Sequence, residues 1–335
     1  MTHHNLFKKS VALIIGTALL NGCASLTKSQ LNEVNTFGQL TSNFSAYPSK
    51  FILSFNTINE KEALLRANSR IDPDTHFTEI DSAYQHKKEN DTLTGKSDLT
   101  FKIIDKYAQA LVLLTADKHT KQLDTAAKSF GTNIDGLITN YNKIDSKDQL
   151  PTGIGGAVAE LITLGGEQFI RSRQAKETKD FVTKADPMII RLTNNVIAQL
   201  GNGAKDKNGQ PVTFSDLVNQ LRQDIKTDYK AFLGKRTTDI VIKKNKDNAD
   251  YSASFINYRY ATLDDDRECL QLLSDLDALQ RLLNDTKTAT ANLAKAHHKL
   301  LTDIDTKKSL VEFATELQTY GDNIKDLKTA IQKIK

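Results

Sequence analysis

Apolar residues at helical spacing dominate the chain and predict a protein built from α-helices. The clearest run is in the last third, where Tyr251 to Ile304 can be followed in steps of three and four. This spacing keeps one face of a helix turned towards a partner helix. At 1.5 Å per residue, the run predicts a helix about 80 Å long.

Five polar residues interrupt this apolar seam. They are Thr262, Asp265, Thr286, Thr290 and His297. A polar residue in a helical seam lowers stability but specifies the register of the two helices. We interpret these positions as register devices.

A second seam, from Leu113 to Ile144, predicts another unbroken long helix, which ends before Pro151. Gly131 and Gly136 lie inside it, and each weakens a helix by about 1 kcal/mol relative to Ala. A third seam runs from Leu310 to Ile334, after a predicted turn at 305–308. The first and third seams, joined by this turn, predict an αα-hairpin.

The N-terminal part predicts two helices, the second at about 49–69, separated by Pro48 because proline ends a helix. After them, Ile71 to Gly95 is rich in charged and turn-forming residues. We expect an irregular connection there, of a length usually found in functional or mobile loops.

Three further features are predicted downstream: a break, a loop and a helix cap. Asp186-Pro187 is typical of a helix start, so we expect a kink or break before Met188. The glycine-rich Gly201 to Pro211 predicts a surface loop between two halves of the bundle. Ser215-Asp216 predicts the cap of a helix that runs to about Ile242.

Gly153 to Ile170 is the most apolar stretch after the N-terminal leader, although Glu160 and Glu167 interrupt it. Its glycines and alanines allow close backbone approach, so one interpretation is a packed central helix. The other is a segment that inserts into a bilayer, as in helical pore-forming toxins.

Together these patterns predict an all-α fold, an elongated bundle of long antiparallel helices with heptad patterns. We divide the chain into a leader at 1–22, a tether with N-terminal helices and an irregular loop at 23–96, and the elongated bundle at 97–335.

The leader starts with basic Lys8 and Lys9 and continues with the apolar run Val11 to Leu20. About ten apolar residues make roughly 15 Å of helix, half of a hydrocarbon core. This is typical of a cleaved signal peptide.

Leu20-Asn21-Gly22-Cys23 resembles the lipobox of bacterial lipoproteins, a resemblance limited to the first 23 residues. It implies that Cys23 becomes the N-terminal residue of the mature protein and carries acyl chains. Two or more acyl chains anchor a protein stably to a membrane. Ala24 follows where an inner-membrane retention signal would have Asp. The resemblance therefore implies attachment to the outer membrane, with the body in the periplasm.

Composition narrows the choice of partners. The chain has 45 basic and 41 acidic residues, and loss of Lys8 and Lys9 with the leader brings the balance closer to neutral. Nucleic acid is therefore not expected as a partner. There are two cysteines, and acylation of Cys23 would leave Cys269 without a disulfide partner.

Candidate reaction centres are missing from the sequence. It has no HExxH, CxxC or GxSxG pattern. Cys269 falls in the long seam, the adjacent His297 and His298 point about 100° apart on a helix, and Asp264 to Asp266 with Glu268 suit a solvated face. We assign no catalytic, cofactor-binding or metal-binding residue; the one site residue is the lipid attachment at Cys23.

The expected function is that of a non-enzymatic interaction or scaffold protein, held at the outer membrane through Cys23 and binding an envelope protein partner. Two alternatives remain open: a membrane-active protein that inserts Gly153 to Ile170, and a lipoprotein that gives immunity to a toxin. The oligomeric state is not predicted.

Overall fold

The computed structural model describes residues 27–70, 72–116, 121–144, 149–156, 159, 171–201, 204–205, 211–247, 251–304 and 311–332. These residues form an all-α fold with one very short β-hairpin. The helices are α1 (Lys28–Ser45), α2 (Pro48–Ser69), α3 (Pro73–Leu114), α4 (Lys121–Ile144), α5 (Arg171–Gly201), α6 (Phe214–Asp247), α7 (Tyr251–Asp303) and α8 (Val311–Ile331).

Helices α1 and α2 follow one another along α3 and run in the opposite direction. In the first half of α1, the Asn35 amide donates to Thr115 Oγ1 at 2.9 Å, just beyond the end of α3. Near the end of α2, Arg66 pairs with Glu79 at 2.9 Å, close to the start of α3. The first described residues therefore lie at the opposite end of α3 from the α2–α3 turn.

The predicted irregular connection at 71–95 is wrong, because α3 occupies most of it and continues unbroken through residues 96 and 97. Asp72 caps the helix by accepting the Thr75 N–H at 2.8 Å, and Pro73 is the first helical residue. Residues 73–85 are largely exposed, so charged and polar side chains dominate there, although Glu, Ala and Gln favour helix.

The unbroken helix predicted from Leu113 to Ile144 is also wrong. α3 ends at Leu114, and α4 begins at Lys121 as a separate helix. Thr115 closes α3 by donating its hydroxyl to the Leu111 carbonyl at 2.7 Å. The steps of three and four continued across a turn, and such spacing cannot distinguish one helix from two.

The break expected at Asp186-Pro187 does not occur. α5 runs continuously from Arg171 to Gly201 with Pro187 inside it. The Asp186 carboxylate faces His297 of α7, so it is not available to cap a new helix.

Three differences follow α5. The predicted surface loop contains a small antiparallel hairpin, in which Ala204 pairs with Val212 and Lys205 with Pro211. The predicted cap of α6 was Ser215-Asp216, but the helix is capped by Thr213, whose Oγ1 accepts the Asp216 N–H at 3.0 Å. Asp216 contributes by accepting the Thr213 N–H at 3.1 Å. α6 then extends beyond Ile242 to Asp247.

The long C-terminal seam is buried over part of its length, and its members Asp265 and Cys269 are only half-buried. α7 is a single helix of 53 residues, and its seam residues from Leu272 to Ile304 are buried. α8 runs back along it, since Lys299 pairs with Glu312 at 2.6 Å and Asn292 donates to Asn323 further along. The predicted turn at 305–308 lies outside the described residues.

Aromatic rings join the first and last helices of the described chain. Phe37 of α1 lies 6.3 Å from both Phe313 and Tyr320 of α8, measured between ring centroids. Phe44 adds a contact of 6.1 Å to Tyr320 and one of 5.9 Å to Phe101 of α3. The core therefore connects the first and last described helices.

Candidate functional site

Cys23, the predicted lipid attachment residue, and the leader at 1–22 lie outside the described residues. The first described feature after them is the capping box of α1. Thr27 Oγ1 accepts the Gln30 N–H at 3.2 Å, while Gln30 Oε1 accepts the Thr27 N–H at 2.8 Å. α1 therefore starts firmly at Lys28, close in sequence to Cys23.

Three polar side chains meet in the core between α3, α5 and α7. Tyr107 Oη lies 2.8 Å from His297 Nδ1, and His297 Nε2 lies 3.0 Å from Asp186 Oδ1. Because a carboxylate faces Nε2, we assign the ring proton to that nitrogen and let Nδ1 accept from the phenol. The Nε2–H is poorly aligned with Oδ1. This second contact is therefore mainly an electrostatic attraction and not a linear hydrogen bond.

Burial determines what this Tyr107–His297–Asp186 network can do. The His297 side chain is 1% exposed, and Tyr107 is fully buried with Phe181 stacked on it. The contact with His297 lowers the pKa of Asp186, whereas burial and the nearby Asp186 raise the pKa of Tyr107. A substrate cannot reach the imidazole or the phenol unless the core opens. We therefore assign this network the role of holding α3, α5 and α7 together.

Carboxyl groups meet at a second position, between α2 and α6. The side chain of Glu62 is 3% exposed and lies 3.6 Å from Arg66. Burial and a hydrogen bond with Asp228 raise the pKa of Glu62 to about 7, against the opposing effect of Arg66 and with a smaller contribution from Asp224. Glu62 can therefore hold a proton near neutral pH.

A pocket of about 240 Å³ opens between α2, α6 and α7, and we call it the α2–α6–α7 pocket. Leu64, Leu65, Phe232 and Leu272 provide its apolar lining. Lys61, Asp265 and Glu268 are its charged lining residues. The half-buried thiol of Cys269 also faces it, and burial together with Asp266 raises the pKa of that thiol. A raised pKa disfavours the nucleophilic thiolate.

Exposed large apolar side chains concentrate near the α2–α3 turn and the adjoining part of α7. Of the nine such residues in the described part of the chain, six lie there: Leu64, Phe77, Ile80, Tyr84, Leu263 and Leu270. We call this set the apolar end. Phe77 is 69% exposed and Tyr84 62% exposed, and with Ile80 they share one face of α3.

Only the beginning of the Gly153 to Ile170 segment is described in detail. Ile154 is buried, and the Gly155 and Gly156 N–H groups both donate to the Asp135 carboxylate at 2.9 Å. Gly155 touches Gly131 of α4 so closely that a Cβ on either would overlap the other's backbone. These contacts support the packed interpretation for residues 153–156; most of the segment lies outside the described residues.

Among the described residues, no three His, Cys, Asp or Glu side chains are grouped so that they would hold a metal ion. Asp264, Asp266 and Glu268 are exposed, as predicted for this acidic cluster, whereas Asp265 is half-buried. Within the described helices, none has the length and apolar character needed to cross a membrane.

Sequence reasoning singled out His297 but missed its partners. Tyr107 and Asp186 belong to other helices, and Asp186 had been interpreted as a helix cap. Glu62 was also missed, although a glutamate on the apolar side of a predicted helix is a signal for a buried carboxyl group.

Comparison with protein families, curated proteins and solved structures finds no match to this chain.

Proposed function

We propose that this protein is a non-enzymatic outer-membrane lipoprotein, acylated at Cys23, whose elongated helical body faces the periplasm and binds an envelope protein. The resemblance of residues 20–23 to a lipobox supports the attachment to the outer membrane. The apolar end supports the binding role and is the observation on which the proposal mainly rests.

A contiguous exposed apolar surface is a common property of protein interaction sites. Scattered exposed leucines need no explanation, but Phe77, Ile80 and Tyr84 share a face of one helix and are exposed together. Aromatic residues are enriched at protein interfaces. This surface is therefore suited to contact with another protein.

The position of the apolar end also fits a tethered protein. Asn35 of α1 contacts Thr115 at the end of α3, whereas Phe77 lies near the start of α3. The intervening part of α3 measures about 57 Å at the usual helical rise. A lipid on Cys23, close in sequence to α1, would leave the apolar end far from the bilayer surface.

Site-specific photo-crosslinking in intact cells tests this proposal. A photoreactive amino acid at position 77 or 84 is expected to give a discrete protein adduct. The matched control is position 190, because Ile190 is also apolar and exposed, at 43%, but lies on α5 outside the apolar end. Equal adducts from position 190, or turnover of a cell-wall or lipid substrate without any adduct, would contradict the proposal.

A further inference from the structure

The α2–α6–α7 pocket has an apolar interior next to the apolar end. Leu64, one of the exposed residues of that end, also lines the pocket. On the α6 side, Tyr229 and Phe232 stack with ring centroids 6.2 Å apart and form one wall. Deeper in the interface, Leu272 is buried. An apolar group entering the pocket would therefore contact apolar side chains from three helices.

The size of the pocket points to a side chain as its occupant. Its volume is about 240 Å³, below the range of about 300–1,000 Å³ usual for small-molecule sites. Protein interfaces often depend on one large side chain that fills a pocket in the partner. The volume and the apolar lining fit such an anchor.

The charges around the pocket indicate the chemistry next to that anchor. Asp265 and Glu268 outnumber Lys61 in the lining. Beside them, residues 264–268 of α7 carry four acidic side chains and one basic side chain, Arg267. The α7 side of the pocket is therefore acidic and favours a basic neighbour over an acidic one.

We propose that the α2–α6–α7 pocket receives a large apolar side chain from a protein partner in which Lys or Arg residues flank that side chain. This inference rests on the proposed function, because it specifies the chemistry of the partner bound near the apolar end. Positive charges of the partner lie against the acidic side of α7, and the apolar anchor displaces water from the exposed Leu64 and the half-buried Leu65.

Cys269 provides a direct reporter of occupancy. In the full mature chain carrying Cys23→Ser, it is the remaining cysteine of the two in the sequence, and its thiol faces the pocket. The probe is a helical peptide of about 20 residues with leucines on one face bordered by lysines. At saturation it is expected to slow N-ethylmaleimide labelling of Cys269 about tenfold, measured by mass spectrometry at about pH 8.

Two substitutions locate the effect. Leu64→Arg places a charge at the pocket and is expected to weaken peptide binding about tenfold. The matched control is Leu53→Arg, since Leu53 is also an exposed leucine of α2, at 56%, outside the pocket. Glu268→Lys is expected to weaken binding and to reduce its salt dependence, because it removes an attraction that salt screens.

Several results would overturn the inference. They are unchanged labelling of Cys269 with bound peptide, equal effects of Leu64→Arg and Leu53→Arg, and equal protection by a peptide with glutamates in place of the lysines. Protection by phosphatidylglycerol vesicles would instead assign the pocket to lipid, and protection that rises with protein concentration alone would assign it to a second copy. Crosslinks at position 84 without protection of Cys269 would retain the proposed function and reject the pocket. Protection of Cys269 without crosslinks at position 84 would retain the pocket and reject the function proposed for the apolar end.

Discussion

At the scale of single residues, Glu62 makes the stability of the protein depend on pH. Its carboxyl is 3% exposed beside Asp228, and its pKa is raised from 4.5 to about 7. A raised pKa means that the folded state binds the proton more tightly than the unfolded state. The associated stability is complete below about pH 4.5 and is lost as the pH rises to about 7.

Replacement of Glu62 by Gln is therefore expected to stabilise the protein more at about pH 8 than at about pH 5. Glutamine stays neutral and can still donate to Asp228, so the expected gain at the higher pH is about 2 kcal/mol. Urea unfolding at both pH values measures it. Glu60→Gln, on an exposed position of the same helix, is the control. A gain that does not depend on pH would show that Glu62 does not titrate in this range.

Two glycines of α4 show how position determines the effect of the same substitution. At Gly131 a Cβ would overlap the backbone of Gly155, whereas at the exposed Gly136 it would meet nothing within 4 Å. We expect Gly136→Ala to stabilise the protein by up to about 1 kcal/mol, because alanine favours helix.

Gly131→Ala is expected to destabilise the protein despite the same gain in helix propensity, because the chain segments at 131 and 155 must separate. Thermal unfolding of both variants makes the comparison. If the two substitutions changed the melting temperature in the same direction, the close approach of these segments would be wrong.

At the scale of helices, the Tyr107–His297–Asp186 network fixes α3, α5 and α7 relative to one another. Tyr107→Phe retains the stacked ring but leaves His297 Nδ1 in the core without its donor. The expected loss is about 1–3 kcal/mol in the free energy of unfolding. Tyr229→Phe, which removes an exposed hydroxyl contact with Asp266, serves as the control in urea unfolding. Equal losses would mean that the buried network contributes no more than a surface contact.

The dipeptide Asp-Pro shows why helix boundaries were only partly predictable. Asp-Pro occurs at 72–73 and at 186–187. Asp72 caps α3, but Asp186 faces His297 and α5 passes through Pro187 unbroken. The dipeptide favours a helix start in both places, and the outcome depends on a residue of another helix that the local sequence does not reveal.

Apolar spacing predicted the faces of the helices better than their ends. Most of the described seam residues of α7 and α8 are buried, because they pack against partner helices, but Asp265, Cys269 and Ile331 are only half-buried. The seam from Leu113 to Ile144 failed at Thr115, where Asn35 of α1 donates to the threonine hydroxyl. The pocket was not predictable because its walls come from helices far apart in sequence.

At the scale of the whole molecule, attachment through Cys23 is expected to determine location and to leave the fold unchanged. Cys23→Ser should abolish incorporation of labelled palmitate and release the protein from the membrane fraction, since acyl chains supply the anchor. The unfolding midpoint of the body should stay the same, because α1 has its own cap at Thr27. Palmitate label that persists in the variant would remove the basis for the proposed attachment through Cys23.

The aromatic contacts between α1 and α8 set the order in which the protein can be completed. Phe37 is buried against Phe313 and Tyr320, which are synthesised after it. Until those rings arrive, Phe37 is without part of its cover, and exposed apolar surface promotes aggregation. A ribosome that stopped before Val311 would thus release a product whose α1 exposes apolar surface that chaperones and proteases recognise.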